Sequence, residues 1–332
     1  MMNHTQTGSM PFLPDAEMPA TWPLPVLNPR GSRPWAIVLS GGEGTRLRPL
    51  TRILAGDERP KQYCRIIGGE TLLQHTTRRV GRLVRPDRTV VVVMCSHAQF
   101  LDPELMNNSV LTQPEDRGTA AAILYSLLSI SAHEPAAHVA VFPVDHYFAS
   151  DATFMRHVDY AYRAVRQCPD LIVLLGIVPH SPEVDYGWIE PGTSIPGVAC
   201  RFILRVQHFW EKPPQAMAAD LFAQGCLWNS FVLVSSIPTL LGLMWRTVPE
   251  LCEAFEDAHI GLGEPPRADT VKAVYTRISP VDFSRQVLAP SPDSLSVLPV
   301  ANTGWVDIGR PERVQALLTR RSSQLDTVRQ SA

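Results

Sequence analysis

The 332-residue chain lacks several features that would place it at once. Its 30 basic and 32 acidic side chains leave a formal net charge of −2. No excess of one sign is available to coat nucleic acid, so binding to that polyanion is not expected. A local basic pocket for a small phosphorylated ligand remains compatible with the balance. No apolar run reaches the ~18 residues of a membrane helix, and the N-terminus lacks the basic-then-apolar layout of a signal peptide. Six cysteines are scattered without a C-x-x-C pair. That pattern suits neither zinc nor a disulfide framework, and its ordinary reading is buried reduced thiols. A cytoplasmic protein without membrane partners is expected. Proline, in contrast, is abundant: 30 of 332 residues, against a usual ~5%.

Six of those prolines fall before Arg33 in a stretch without apolar period. Residues 1–33 are therefore read as a flexible Pro-rich arm. From Trp35 the character changes. Continuous apolar runs at Trp35–Leu39, Thr89–Met94, His138–Phe142 and Leu171–Val178 read as buried strands. Helical stretches lie between them at Thr71–Val84, Thr119–Ser131 and Ala152–Gln167. This alternation predicts an α/β fold, Rossmann-like and doubly wound, with a mostly parallel mixed sheet flanked by helices. After Pro179 the strands Cys200–Trp210, Leu227–Ser235 and Leu295–Val300 come with longer loops, and Gln215–Gln224 and Ile237–His259 look helical. This half is expected to extend the sheet and wall the site. The division expected is one domain at 34–318, with its second half from about 179, and a tail at 319–332.

In such sheets ligands bind beyond the carboxyl ends of the strands. The first strand runs into Ser40-Gly-Gly-Glu-Gly-Thr-Arg46. The amides of Gly41, Gly42 and Gly44 can approach a phosphate unobstructed, and Arg46 adds fixed charge with paired donors. A Walker A loop needs G-K-[ST], which Gly44-Thr45-Arg46 does not supply. A dinucleotide fingerprint needs a third glycine where Leu47 stands. On spacing alone, a tight structural turn stands level with a phosphate loop. Lys61, in Pro60-Lys61-Gln62, reads by itself as a surface lysine. Asp145, just beyond the strand His138–Phe142, is placed to offer Mg²⁺ an oxygen ligand, and equally to cap a turn. Lys212 beside Glu211 reads alone as a surface ion pair. Asn229 can both donate and accept toward hydroxyls.

Taken together these segments resemble one family. Gly41-Gly-x-Gly-Thr-Arg-Leu-x-Pro-Leu-Thr51 with Pro60-Lys61-Gln62 is similar to the signature of sugar-1-phosphate nucleotidyltransferases. Gln113-Pro-Glu-Asp-Arg-Gly-Thr-Ala120, Phe142-Pro-Val-Asp-His146, Asp185-Tyr-Gly-Trp-Ile-Glu190, Phe209-Trp-Glu-Lys-Pro213, Leu227-Trp-Asn-Ser230 and Trp305-Val-Asp-Ile-Gly309 follow in the order found in mannose-1-phosphate guanylyltransferases. The similarity runs from about Trp35 to about Val314. It implies the nucleotide-diphospho-sugar transferase fold and a reaction of GTP with mannose 1-phosphate, giving GDP-mannose and pyrophosphate.

The resemblance also implies roles. Asp145 and Asp307, 162 residues apart, would hold Mg²⁺, with His146 supporting rather than ligating, since Mg²⁺ disfavours imidazole. Ser40, Gly41, Gly42, Gly44, Thr45, Arg46 and Lys61 would bind the nucleotide phosphates. Glu115, Arg117, Gly118 and Thr119 would surround its base. Tyr186, Gly187, Glu190, Glu211, Lys212 and Asn229 would bind the sugar phosphate, with Lys212 on the phosphate. The catalytic set is Arg46, Lys61, Asp145, Lys212 and Asp307. The departures are Ser40 and Val144 for alanine, Arg48 for tryptophan and Gly118 for asparagine. Another base or sugar, a regulatory homologue that senses nucleotide sugars, and a nicotinamide-dependent oxidoreductase are the alternatives. The missing glycine at Leu47 argues against the last. A second, isomerase-bearing domain of bifunctional relatives is not expected before Ala332. Self-association is left open.

Overall fold

A computed structural model describes residues 33–330 except 104, 106–107, 196–201 and 262–266. The expected arm up to residue 32 lies outside the described residues, as does Cys200. Eleven strands are described: β1 (Trp35–Leu39), β2 (Thr89–Met94), β3 (Ser109–Gln113), β4 (His138–Pro143), β5 (His146–Tyr147), β6 (Ile172–Ile177), β7 (Gly187–Ser194), β8 (Leu204–Glu211), β9 (Leu227–Ser236), β10 (Ser296–Val300) and β11 (Val306–Asp307).

Nine strands form one sheet in the order β3-β2-β1-β4-β9-β6-β10-β8-β7. The pairs β1–β2, β1–β4, β2–β3 and β6–β10 are parallel. β9 runs antiparallel to β4, β6 and β7, and β8 runs antiparallel to β7 and β10. Seven strands therefore share one direction, and β8 and β9 oppose them. This is the mixed, mostly parallel sheet expected from the alternating runs.

Period two explains why the central strands are apolar throughout. In β1, Ile37 faces one core, together with Val90, Val92, Val139 and Val141. Its neighbours Ala36 and Val38 face the other, with Val91, Val93, Ala140 and Phe142. The helix Gly118–Ser131 covers the first face and is buried over most of its length. The helices Leu72–Val80 and Asp151–Gln167 cover the second. Both begin with caps that satisfy orphan amides: Thr71 and Gln74 bond reciprocally, and Ser150 accepts from the Thr153 amide.

The single helix expected over Ile237–His259 is instead two, Ile237–Thr247 and Pro249–Glu256. Pro249 has no amide to donate and pushes Val248 off helical geometry, to φ −136°, ψ 56°. The helix Pro311–Gln330 runs across the 318/319 boundary at which a tail was expected.

A third, smaller core matters for the site. Leu47, Cys64, Ile66, Ile67 and Leu72 pack against Ile308, Val314 and Leu317. It fastens the start of the C-terminal helix under the turn that follows β1. None of the described helices is long and apolar enough to cross a membrane.

Candidate active site

At the carboxyl ends of the strands lies a cleft of about 380 Å³. Its size suits a small-molecule site. Gly44, Thr45 and Arg46 line one side, and Tyr186, Gly187, Glu211, Lys212 and Asn229 the other. Lys61, Asp145, His146 and Asp307 sit between them.

The glycine loop is held from below. The buried Gln62 donates its side-chain amide to the carbonyls of Ser40 (2.9 Å) and Gly42 (2.7 Å). Ser40 itself is fully buried, and Ser40, Gly41 and Gly42 do not line the cleft. Sequence reasoning gave Gln62 no role. Its signal was a polar residue in a motif whose lysine drew the attention. Arg46 is exposed at the rim, without an ion-pair partner among the described residues.

The two aspartates meet through a two-residue ladder. β5 and β11 pair antiparallel, with Asp307 opposite His146, and the Ile308 amide donates to the Asp145 carbonyl at 2.8 Å. Gly309 completes the arrangement. A Cβ there would lie 2.8 Å from an Asp307 carboxylate oxygen, so the aspartate keeps its place only above a glycine. Ligand atoms of Asp145, His146 and Asp307 fall within 4.8 Å of one another.

Burial and mutual repulsion act on both carboxylates of this cluster, and Lys61 and Arg313 partly offset them. Burial pushes the Asp145 carboxyl up, but the Lys61 ammonium at 2.6 Å, together with His146, holds it below its ordinary value. Burial and the Asp145 charge push Asp307 up to about 6, against the pull of Lys61 and Arg313. Burial lowers His146 to about 4, so its ring is neutral at pH 7. Two crowded carboxylates beside a neutral imidazole are donors that fit a divalent cation, the carboxylates suiting a hard ion best. Lys61 spans the site, also donating to the Ile308 carbonyl at 3.1 Å.

On the opposite wall, Lys212 adopts φ 51° and Phe231 φ 61°. Left-handed backbone at bulky residues is strained, and such strain collects at functional sites. Lys212 Nζ lies 3.2 Å from Glu211, whose carboxyl is raised by burial and partly restored by that ammonium. Asn229 accepts from the Phe231 amide through Oδ1, and its NH₂ group is uncommitted among the described residues. Tyr186, Trp228 and Trp305 stack edge to face behind them, with ring centres 5.1 Å from Tyr186 to each tryptophan.

Some expected residues fall elsewhere. Glu190 does not line the cleft. It lies on the opposite face of β7 from Gly187, as period two requires, and pairs across the strands with His208 at 2.8 Å. Glu115, Arg117, Gly118 and Thr119 are also outside it. Arg117 donates to the Tyr275 carbonyl at 2.7 Å, and the Phe283 amide donates to Thr119 at 2.9 Å. Gly118 has φ 80°, and a Cβ there would lie 2.3 Å from the Val281 carbonyl oxygen. That contact explains why glycine, not asparagine, stands at 118. Gly118→Ala is expected to cost about 2 kcal/mol or more. Its denaturation midpoint measures this, and a midpoint equal to wild type would contradict the packing of 281 on 118. Ser284 and Phe231 line the cleft but carried no signal in the sequence.

Several known proteins are similar to this chain in sequence or fold. Xanthan biosynthesis protein XanB of Xanthomonas campestris pv. campestris is 29% identical over 82% of this chain and 57% of its own length. Mannose-1-phosphate guanylyltransferase of Sinorhizobium fredii is 31% identical over 76% of this chain and 47% of its own. The chain thus spans about half the length of these curated relatives. A crystal structure from Thermus thermophilus, described as a mannose-1-phosphate geranyltransferase, superposes with a TM-score of 0.73 at 28% identity. It covers 83% of this chain and 76% of that one. Mannose-6-phosphate isomerase of Helicobacter pylori superposes at 0.62 and 19% identity over 83% of this chain and all of that one, a likeness of fold alone. Residues 35–319 match the nucleotidyl transferase family from end to end of the described sheet, and the chain belongs to that family.

Proposed function

We propose that the protein joins a sugar 1-phosphate to a nucleoside triphosphate, with mannose 1-phosphate and GTP as the pair, giving GDP-mannose and pyrophosphate. The observation that carries this reading is the meeting of Asp145 and Asp307 between a glycine loop bearing Arg46 and a wall bearing Lys212. The mannose and guanine assignments rest on the ordered motifs and on the similarity to the Sinorhizobium fredii mannose-1-phosphate guanylyltransferase.

Both reactants are polyanions, so the protein's task is positioning and neutralisation rather than proton transfer. Arg46 and the loop amides hold the triphosphate and stabilise the departing pyrophosphate. Lys212 neutralises and aims the sugar phosphate, while Glu211 and Asn229 take sugar hydroxyls. An oxygen of that phosphate attacks the α-phosphorus in line, and the bond to pyrophosphate breaks. No general base is needed, because the nucleophile is already anionic. Asp145 and Asp307 would hold a divalent ion, assigned as Mg²⁺, which supplies positive charge between the two phosphates. Lys61 keeps Asp145 ionised and oriented.

Pyrophosphate release measured over four nucleoside triphosphates and several sugar 1-phosphates tests the proposal. Release is expected to be fastest with GTP and mannose 1-phosphate. A different best pair would correct the specificity alone. No release with any pair would leave a regulatory, nucleotide-sugar-sensing role.

A further inference from the structure

We infer that Arg313 is a positioning residue that sets the metal-binding aspartate and the sugar-binding wall as one unit. The inference rests on the proposed reaction. Arg313 opens the C-terminal helix and reaches three carboxylates at once. Its Nη1 donates to Asp307 Oδ2 at 2.6 Å, and its Nη2 donates to Glu183 at 3.0 Å and Asp185 at 2.9 Å. Its guanidinium lies 4.4 Å from the centre of the Tyr186 ring.

The far side of this contact is the loop that forms the sugar wall. The Tyr186 carbonyl accepts from the Lys212 amide at 3.2 Å, and the Glu183 carbonyl accepts from the Trp188 indole at 2.8 Å. A continuous set of bonds therefore runs from Asp307 through Arg313 to residues 183–186 and on to Lys212. Arg310 adds a second contact to Asp185 at 2.5 Å, but none to Asp307. Only Arg313 among the described residues joins the two sides by side-chain hydrogen bonds.

The chemistry demands arginine. A guanidinium offers five donors in a rigid plane and can serve separate acceptors from its two ends. Lysine would carry the same charge from one rotating point and could not hold both sides in fixed relation. By occupying Oδ2, Arg313 also fixes which face of the Asp307 carboxylate is left for a cation. Residues that orient metal ligands typically govern affinity or activity by 10–100-fold. An ordinary ion cluster that merely fastens the helix would not carry that influence, because Val314 and Leu317 already bury the same turn.

The test uses the full chain with Arg313→Lys and Glu183→Gln, with Arg313→Ala added if it folds. Mn²⁺ binding to the substrate-free protein, read by electron paramagnetic resonance, should weaken about tenfold in Arg313→Lys. Glu183→Gln, which weakens one of the two loop contacts and leaves Asp307 untouched, should keep Mn²⁺ affinity within about twofold while raising the sugar-phosphate KM. Arg313→Lys should lower kcat and raise the sugar-phosphate KM about tenfold each, leaving the nucleotide KM within about twofold. Wild-type Mn²⁺ affinity and sugar-phosphate KM in Arg313→Lys would overturn the inference. So would an equal rise in both substrates' KM, the mark of general loosening. If wild type itself releases no pyrophosphate, the proposed reaction fails, and the Mn²⁺ measurement alone still decides the role of Arg313 at Asp307.

Discussion

Asp145→Asn and Asp307→Asn are each expected to cut pyrophosphate release by about 10³-fold while the protein stays folded. Either amide keeps the shape of the side chain and removes the charge that, in the proposed reaction, would hold a divalent cation. The measurement is turnover at saturating substrates, with circular dichroism to establish the fold. Near-normal turnover in either variant would sink the metal assignment. Stability adds a second, independent reading at Asp307. Its carboxyl sits at about 6 in the folded protein against an ordinary 3.8, through burial and the neighbouring Asp145 charge. Between those values the folded chain holds a proton that the unfolded chain has lost. The stabilisation from that proton is complete below the unfolded value and is lost as pH rises through about 6. Metal-free wild type should therefore lose melting temperature, relative to Asp307→Asn, as pH rises from about 4 to about 6.5, and hold a steady difference above that. A constant difference across that range would show that Asp307 titrates normally. A variant that melts higher than its parent at neutral pH is what the burial of a second carboxylate beside Asp145 predicts.

The sheet was legible because its central strands are buried on both faces, and so read as unbroken apolar runs separated by helical stretches. The break at Val248 was visible in principle, since Pro249 follows it, but the apolar pattern continues across the break. The approach of Asp145 to Asp307 was not readable from spacing. It depends on a ladder two residues long, at His146–Tyr147 and Val306–Asp307, too short for any periodicity. Only the ordered motifs joined the two aspartates beforehand. Glu190 was drawn to the site by its motif, and strand alternation set it on the far face. Gly118 and Arg313 show the remaining limit. One is decided by the approach of the Val281 carbonyl, the other by carboxylates from the segment before β7 and from β11. Such long-range contacts exist only once the fold has formed.

Lys212 separates function from stability on the opposite wall. Lys212→Ala should lower kcat/KM for the sugar phosphate by about 10²-fold or more, with the nucleotide KM little changed, because in the proposed reaction the ammonium meets only the second anion. Steady-state kinetics with each substrate varied in turn is the check, and a loss confined to nucleotide binding would reverse the division of roles. The backbone supplies the contrast. At φ 51° an L-residue carries strain that glycine does not. Lys212→Gly should match the activity loss of Lys212→Ala yet unfold at a higher denaturant midpoint, by about 1 kcal/mol. Both variants leave the buried Glu211 carboxyl without its ammonium partner, so the comparison between them isolates the backbone term. Equal midpoints would mean that the left-handed turn carries no strain. A higher midpoint for glycine would mean that a lysine is held in a costly conformation where, in the proposed reaction, its charge meets the incoming phosphate.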